Sequence, residues 1–109
     1  MEIQMNRAGN GTIAVKLGGT LDRETVPDIR KRVLKVSRKK DTGDLTVDLS
    51  RVAAIDTAGL ALLVEVFVNL CGRGRALRLE GANERVERMI RLADLDRLFE
   101  AQYLSIHGK

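Results

Sequence analysis

Asp56 and Thr57 set a carboxylate beside a hydroxyl, directly ahead of Ala58-Gly59-Leu60 and a largely apolar run that ends at Cys71. Both side chains can satisfy the free N–H groups at a helix N-terminus, and the helix dipole adds to the preference for Asp. One reading of the pair is capping and nothing more. The sharper reading makes Thr57 a phosphorylation site. A phosphate there meets a favourable dipole, and it adds roughly 1.5–2 negative charges without melting the helix. What would change is whatever docks on that surface.

Other reactive groups are sparse. The one His is third from last, and the one Cys closes an apolar run, which reads as a small core hydrophobe. Asp22, Asp48 and Asp56 could converge near Thr57, but Asp48 on a strand could as easily satisfy backbone donors. No metal-ligand cluster or nucleophile–base spacing is visible. Gly72-Arg73-Gly74-Arg75 follows a helix and precedes a strand, so it reads as a helix stop and turn, since phosphate loops precede a helix. These features predict no catalysis, no metal and no cofactor.

The elements that must hold Asp56 and Thr57 follow from periodicity. Ile3 to Asn6 reads as a short strand, Ala8-Gly9-Asn10-Gly11 as a hairpin turn, and Thr12 to Leu17 as a second strand ended by Gly18-Gly19. A first helix starts near Thr25, with Pro27 in its first turn and Val26, Ile29, Val33 and Val36 as its apolar stripe. Leu45 to Leu49 is a buried strand, Ser50 to Ala54 a loop, and Thr57 to Cys71 the central helix. Ala76 to Glu80 alternates as a strand, and Val86, Met89, Ile90 and Ala93 mark another helix. Asp94 is expected to cap a last short turn, with a weak edge strand over 101–106 and a loose tail from His107. This order predicts a single α/β domain over 1–109, with a mixed sheet of about four or five strands and helices mainly on one face.

On a helical wheel, the central helix turns Leu60, Leu63, Phe67, Leu70 and Cys71 toward the sheet. Ala58, Glu65 and Asn69 gather opposite, bordered by Ala61, Leu62 and Val66. A helix apolar nearly all round is normally buried. Either the other helices cover this outer side, or Ala58, Ala61, Leu62 and Glu65 form a docking face for a protein.

At 109 residues the chain suits one core, and at 3% aromatic that core must be aliphatic. A lone Cys permits no internal disulfide, no secretory leader is visible, and the apolar run is too short to span a bilayer, so the expected location is the cytoplasm. The net charge of +4 allows nucleic acid, anionic lipid or an acidic protein as partner. The first helix concentrates Arg30, Lys31, Arg32, Lys35, Arg38, Lys39 and Lys40. With so few aromatics to stack bases, a solvated face is the preferred reading and nucleic-acid binding a distant alternative.

The run Val47-Asp48-Leu49-Ser50-Arg51-Val52, followed by Ile55-Asp56-Thr57-Ala58-Gly59-Leu60-Ala61-Leu62-Leu63, resembles the STAS domain family (sulphate transporter and anti-sigma factor antagonist). Leu17-Gly18-Gly19-Thr20-Leu21-Asp22 resembles the family's Leu-x-Gly-x-Leu-Asp, and Leu77 to Leu92 matches its later pattern. The resemblance implies a STAS-like mixed sheet, no catalytic activity, and one of two roles. In the preferred one, the chain resembles the small STAS subunit of phospholipid-trafficking ABC transporters and docks on the ATPase subunit, reaching the membrane only through it. In the alternative, it is an anti-sigma factor antagonist, phosphorylated at Thr57 by a partner that is both serine kinase and anti-sigma factor. The partner-binding residues expected in either role are Asp22, Ser50, Asp56, Thr57, Ala58, Ala61, Leu62 and Glu65.

Overall fold

A computed structural model describes residues 2–108. Strands β1 (Glu2–Arg7) and β2 (Ile13–Leu21) form a hairpin. Helix α1 (Val26–Ser37), strand β3 (Leu45–Ile55), helix α2 (Thr57–Cys71), strand β4 (Leu77–Glu80), and helices α3 (Glu84–Leu92) and α4 (Leu95–His107) follow. The sheet order is β1-β2-β3-β4, with β1 antiparallel to β2 and the remaining pairs parallel. The expected mixed α/β sheet is present, with four strands.

Side-chain alternation dictates which face is covered. Ile13, Val15 and Leu17 on β2, and Leu45, Val47 and Leu49 on β3, are buried, while their neighbours Lys16 and Asp48 turn to the other face and lie 3.9 Å apart. The register stacks Ile13, Leu45 and Leu77 in one row and Val15, Val47 and Leu79 in the next. The helices supply the other half of the core, including Ile29 and Val33 of α1, Leu63, Val66 and Leu70 of α2, and Val86 of α3.

Three element boundaries differ from expectation. Gly18-Gly19 does not end β2, and Ser50 to Ala54 is not a loop: both segments continue as paired strand, with register shifts between Lys16 and Gly18 and between Gly19 and Thr20. Each shift adds one residue to β3, and such bulges erase the alternation that identifies a strand. Gly18 fits because a Cβ there would lie 3.1 Å from a Glu2 carboxylate oxygen and 3.5 Å from Arg51 Cβ. The third difference is at the end of the chain. Residues 101–106 are helix, not edge strand, and α4 runs 13 residues. Leu95 and Phe99 bury its inner side, Phe99 meets Phe67 at 4.9 Å between ring centres, and Arg78 sits 4.8 Å over the Tyr103 ring. Asp94 takes the expected N-cap position of α4, with a left-handed φ of 60° at the α3–α4 corner, but its side chain makes no capping bond.

Asn83 joins α3 to the sheet. Its Oδ1 accepts from Val86 N–H at 2.8 Å, and its Nδ2 donates to the Val52 carbonyl at 3.1 Å. Asn83→Ala should cost roughly 1–2 kcal/mol, because a cap and a partner for a strand carbonyl are lost together. Urea denaturation checks this; an unchanged midpoint would contradict it.

Candidate functional site

β3 ends at Ile55 beside Leu21, the end of β2. The chain is held there by the Asp56 N–H donating to the Leu21 carbonyl at 3.0 Å. Asp56 itself is extended, and its Oδ1 accepts from Ala58 N–H at 2.8 Å and from Gly59 N–H at 3.2 Å. This is the capping expected from the sequence. Gly59 explains how tightly α2 starts against the strands: a Cβ there would fall 2.5 Å from Ile55 Cγ1 and 2.8 Å from the Leu21 carbonyl oxygen. Backbone cannot yield as a flexible side chain can, so the site requires glycine. A glycine inside an otherwise apolar helix was the available signal for this close approach.

Thr57 is the first residue of α2 and is exposed. Asp22 directly follows Leu21 and so lies at the same end of the sheet. Its carboxylate accepts from Glu24 N–H at 3.0 Å and Thr25 N–H at 3.1 Å, forming the turn into α1. The Thr25 N–H holds the Asp22 carboxyl below its ordinary pKa against a smaller opposing effect of burial, and the Glu24 N–H adds to the lowering. Thr25 makes no side-chain cap to α1; its hydroxyl donates to the Thr20 carbonyl at 2.6 Å.

The structure does not gather every expected residue here. Ser50 is exposed, on the opposite sheet face from buried Leu49, and lies beside Gly81, five residues back along β3 from Ile55. Its side chain, and then its backbone N–H at 2.8 Å, hold the Asp48 carboxyl below the ordinary value. Asp48 therefore serves its own strand and does not converge on Thr57. Leu62 is 3% exposed and belongs to the core, which corrects its placement on the docking face. Cys71, expected in the core, is exposed.

Both corrections have one cause. The buried line of α2 is Gly59, Leu62, Leu63, Val66, Phe67 and Leu70, roughly a sixth of a turn from the sequence-based orientation at about 100° per residue. Thr57, Ala61, Val68 and Cys71 are exposed, with Leu60 and Val64 half-buried beside them, and Val68 is 58% exposed. Glu65, expected to face outward, instead flanks α1. Its carboxylate pairs with Arg30, whose Nε donates to Oε1 at 2.8 Å. That hydrogen bond, more than the accompanying charge attraction, holds the Glu65 carboxyl below its ordinary pKa. Nothing in local spacing links residues 30 and 65. Ala58 is half-buried against the core.

Asp22, Asp48 and Glu65 give stability a definite pH dependence. Each carboxyl is held lower in the folded state than in the unfolded one. The contribution is therefore complete above the unfolded values and is lost as pH falls through the lower folded values. The urea midpoint should fall as the pH drops below the ordinary carboxylate range, and Glu65→Gln should make that fall modestly shallower. An identical pH profile in the variant would rule out the Arg30–Glu65 contribution.

Among the described residues, no three His, Cys, Asp or Glu side chains are grouped to hold a metal, and no helix is long and apolar enough to cross a membrane. The site offers a hydroxyl, two carboxylates and a partly apolar stripe, which suits binding and modification.

A family profile described as "Mlab, STAS domain" matches residues 5–101. The anti-sigma-B factor antagonist of Staphylococcus epidermidis is 36% identical over 81 residues, covering 74% of each chain. Among solved structures, the Thermotoga maritima protein TM1081 superposes with a TM-score of 0.81 at 24% identity, over 88% of this chain and 81% of that one. The Bacillus cell fate determinant SpoIIAA, in its phosphorylated form, superposes with a TM-score of 0.73 at 17% identity, over 88% and 86%. These two structural likenesses show the fold. The relatives overturn the preferred reading as an accessory subunit of a phospholipid-trafficking ABC transporter: the staphylococcal proteins similar to this chain at 35–36% identity are anti-sigma-B factor antagonists. With its profile match covering most of its length and a relative above 30% identity, the chain belongs to the STAS domain family.

Proposed function

We propose that this protein is an anti-sigma factor antagonist that works by partner switching, and that phosphorylation of Thr57 turns its binding off. The observation that carries this reading is an exposed hydroxyl at the start of α2, continuous with the stripe through Ala61, Val64 and Val68. The family and the named staphylococcal relative support it. SpoIIAA, with the same fold, has been solved in both phosphorylated and unphosphorylated forms.

The local geometry says how such a switch would operate. Asp56 already accepts from the Ala58 and Gly59 N–H groups. A phosphate on Thr57 must compete with that carboxylate for donors, so it projects outward. Its charge then falls on the surface a partner must cover, where burial and repulsion from Asp56 both oppose binding. Thr57 is the acceptor, Asp56 the positioning cap, Asp22 a rim residue, and Ala61 part of the contact, with Ala58 and Glu65 at its flank. Leu62 contributes from below by supporting the helix, and Ser50 lies away from the contact. The chain acts by binding, without turnover of its own, as a single domain in the cytoplasm.

The test is affinity capture of the tagged protein from its own cells, with Thr57 phosphorylation read by mass spectrometry in bound and unbound pools. An anti-sigma factor of kinase fold should accompany the unmodified form, and phosphate on Thr57 should be confined to the unbound pool. Recovery of that partner with fully phosphorylated Thr57 would overturn the switch.

A further inference from the structure

The end of the molecule opposite Thr57 carries its own surface. Because β2 and β3 are parallel, α1 and α2 both start where those strands end. They run back together, and α2 spans 15 residues, about 22 Å at roughly 1.5 Å per residue. At the far end the α1 C-terminus, the β1–β2 hairpin and the α2–β4 turn meet. Arg73 donates to the Ser37 carbonyl at 2.7 Å and also to the Lys39 carbonyl, and Arg7 reaches the Asp41 carbonyl at 3.3 Å.

Those two arginines are occupied in holding the end together. Lys35, Arg38, Lys39, Lys40 and Arg75 are not: all five are exposed, and none forms an ion pair among the described residues. Asp41 faces Arg7 at 3.7 Å, and Asp44 is engaged by Ala76 N–H and His107. Exposed cations without an ion pair also occur elsewhere, at Arg23, Lys31, Arg32, Arg85, Arg88 and Arg97, but Glu24, Asp28, Glu84, Asp96 and Glu100 lie close to those in sequence, whereas four of the pole's five fall within residues 35–40, which hold no acid.

We propose that this pole binds an anionic lipid surface by charge alone, leaving the Thr57 pole directed away from the bilayer. Three observations favour lipid over other anions. The exposed large apolar residues are Val68, Leu92, Leu98 and Leu104, and none lies in the segments that form the pole. A protein interface would need an apolar centre, whereas a charged bilayer attracts clustered Lys and Arg without one. The two Phe residues are buried in the core, and the one Tyr ring packs against both Arg78 and His107, so none of the three offers a free ring on which to stack a base. The cations also come from separate segments converging on one end of a molecule 32 Å long, which suits end-on contact with an extended surface.

Vesicle co-sedimentation of the full chain tests this. It should sediment with mixed phosphatidylglycerol–phosphatidylcholine vesicles at low salt, remain free with phosphatidylcholine alone, and be released as salt is raised. The triple variant Lys35→Gln, Arg38→Gln, Lys39→Gln should lose partition on the order of a hundredfold, from roughly fivefold per charge. Arg85→Gln, Arg88→Gln, Arg97→Gln removes the same charge from exposed positions on α3 and α4 and should lose far less. Equal losses in the two triples would overturn the proposal by making the effect one of net charge. Equal sedimentation with both vesicle types, or tighter binding to duplex DNA than to anionic vesicles, would also overturn it.

Discussion

A Thr57→Glu protein is expected to bind the anti-sigma partner on the order of a hundredfold more weakly than wild type, a loss of about 2.7 kcal/mol, while its melting temperature stays unchanged. The unchanged stability follows from position: Thr57 is exposed, its side chain caps nothing, and acidic groups are tolerated in a helix's first turn. The lost affinity follows from desolvating a carboxylate at a contact that already contains Asp56, where like-charge juxtaposition costs several kcal/mol. Thr57→Ser should bind normally and still accept phosphate; Thr57→Ala should bind and be locked on. Calorimetric titration with the captured partner reads all three. Wild-type affinity in Thr57→Glu, with the fold intact, would end the switch reading.

Leu62→Ala should destabilise the fold by roughly 2–5 kcal/mol, the range for deleting a fully buried leucine. Leu62 is 3% exposed, with Leu63 and Val66 on the same buried line, so truncation leaves a cavity that packed neighbours fill only in part. Val68→Ala should do the reverse. At 58% exposed it should shift the urea midpoint little and weaken partner binding. The pair separates the two sides of α2. Leu62→Ala with wild-type stability and weak binding would return Leu62 to the contact.

The core of the fold was legible because β2, β3 and α1 obey simple periods. Ile13, Val15 and Leu17 alternate, and Val26, Ile29 and Val33 step by three and four residues. Asp56 was legible as a cap for the same local reason. Legibility failed where two patterns fit or neither did. The bulges opposite Gly18 and Gly19 broke the strand period, so half of β3 read as a loop. Residues 101–106 read as a weak strand, yet Leu95, Phe99, Tyr103 and Ile106 also recur at helical steps, and packing of Phe99 on Phe67 decides for helix. On α2, apolar residues nearly all round left the wheel without a sharp direction. The Arg30–Glu65 pair, which turns Glu65 toward α1, joins residues too distant in sequence for any window to connect. The transporter reading failed differently: the motif around Thr57 identifies the family but does not separate its branches, and it was the relatives that spoke against the transporter.

The strand order β1-β2-β3-β4 repeats the order of synthesis. Each strand emerging from the ribosome finds its neighbour already made, so the sheet can grow one edge at a time without opening an existing pair. Loops to be closed stay short, which favours rapid folding. The last steps differ in kind, because β4 has only four residues and Phe67 lacks its ring partner until Phe99 arrives on α4. A nascent chain halted before α4 would hold a formed sheet with one apolar flank bare, the state most exposed to aggregation and to chaperones.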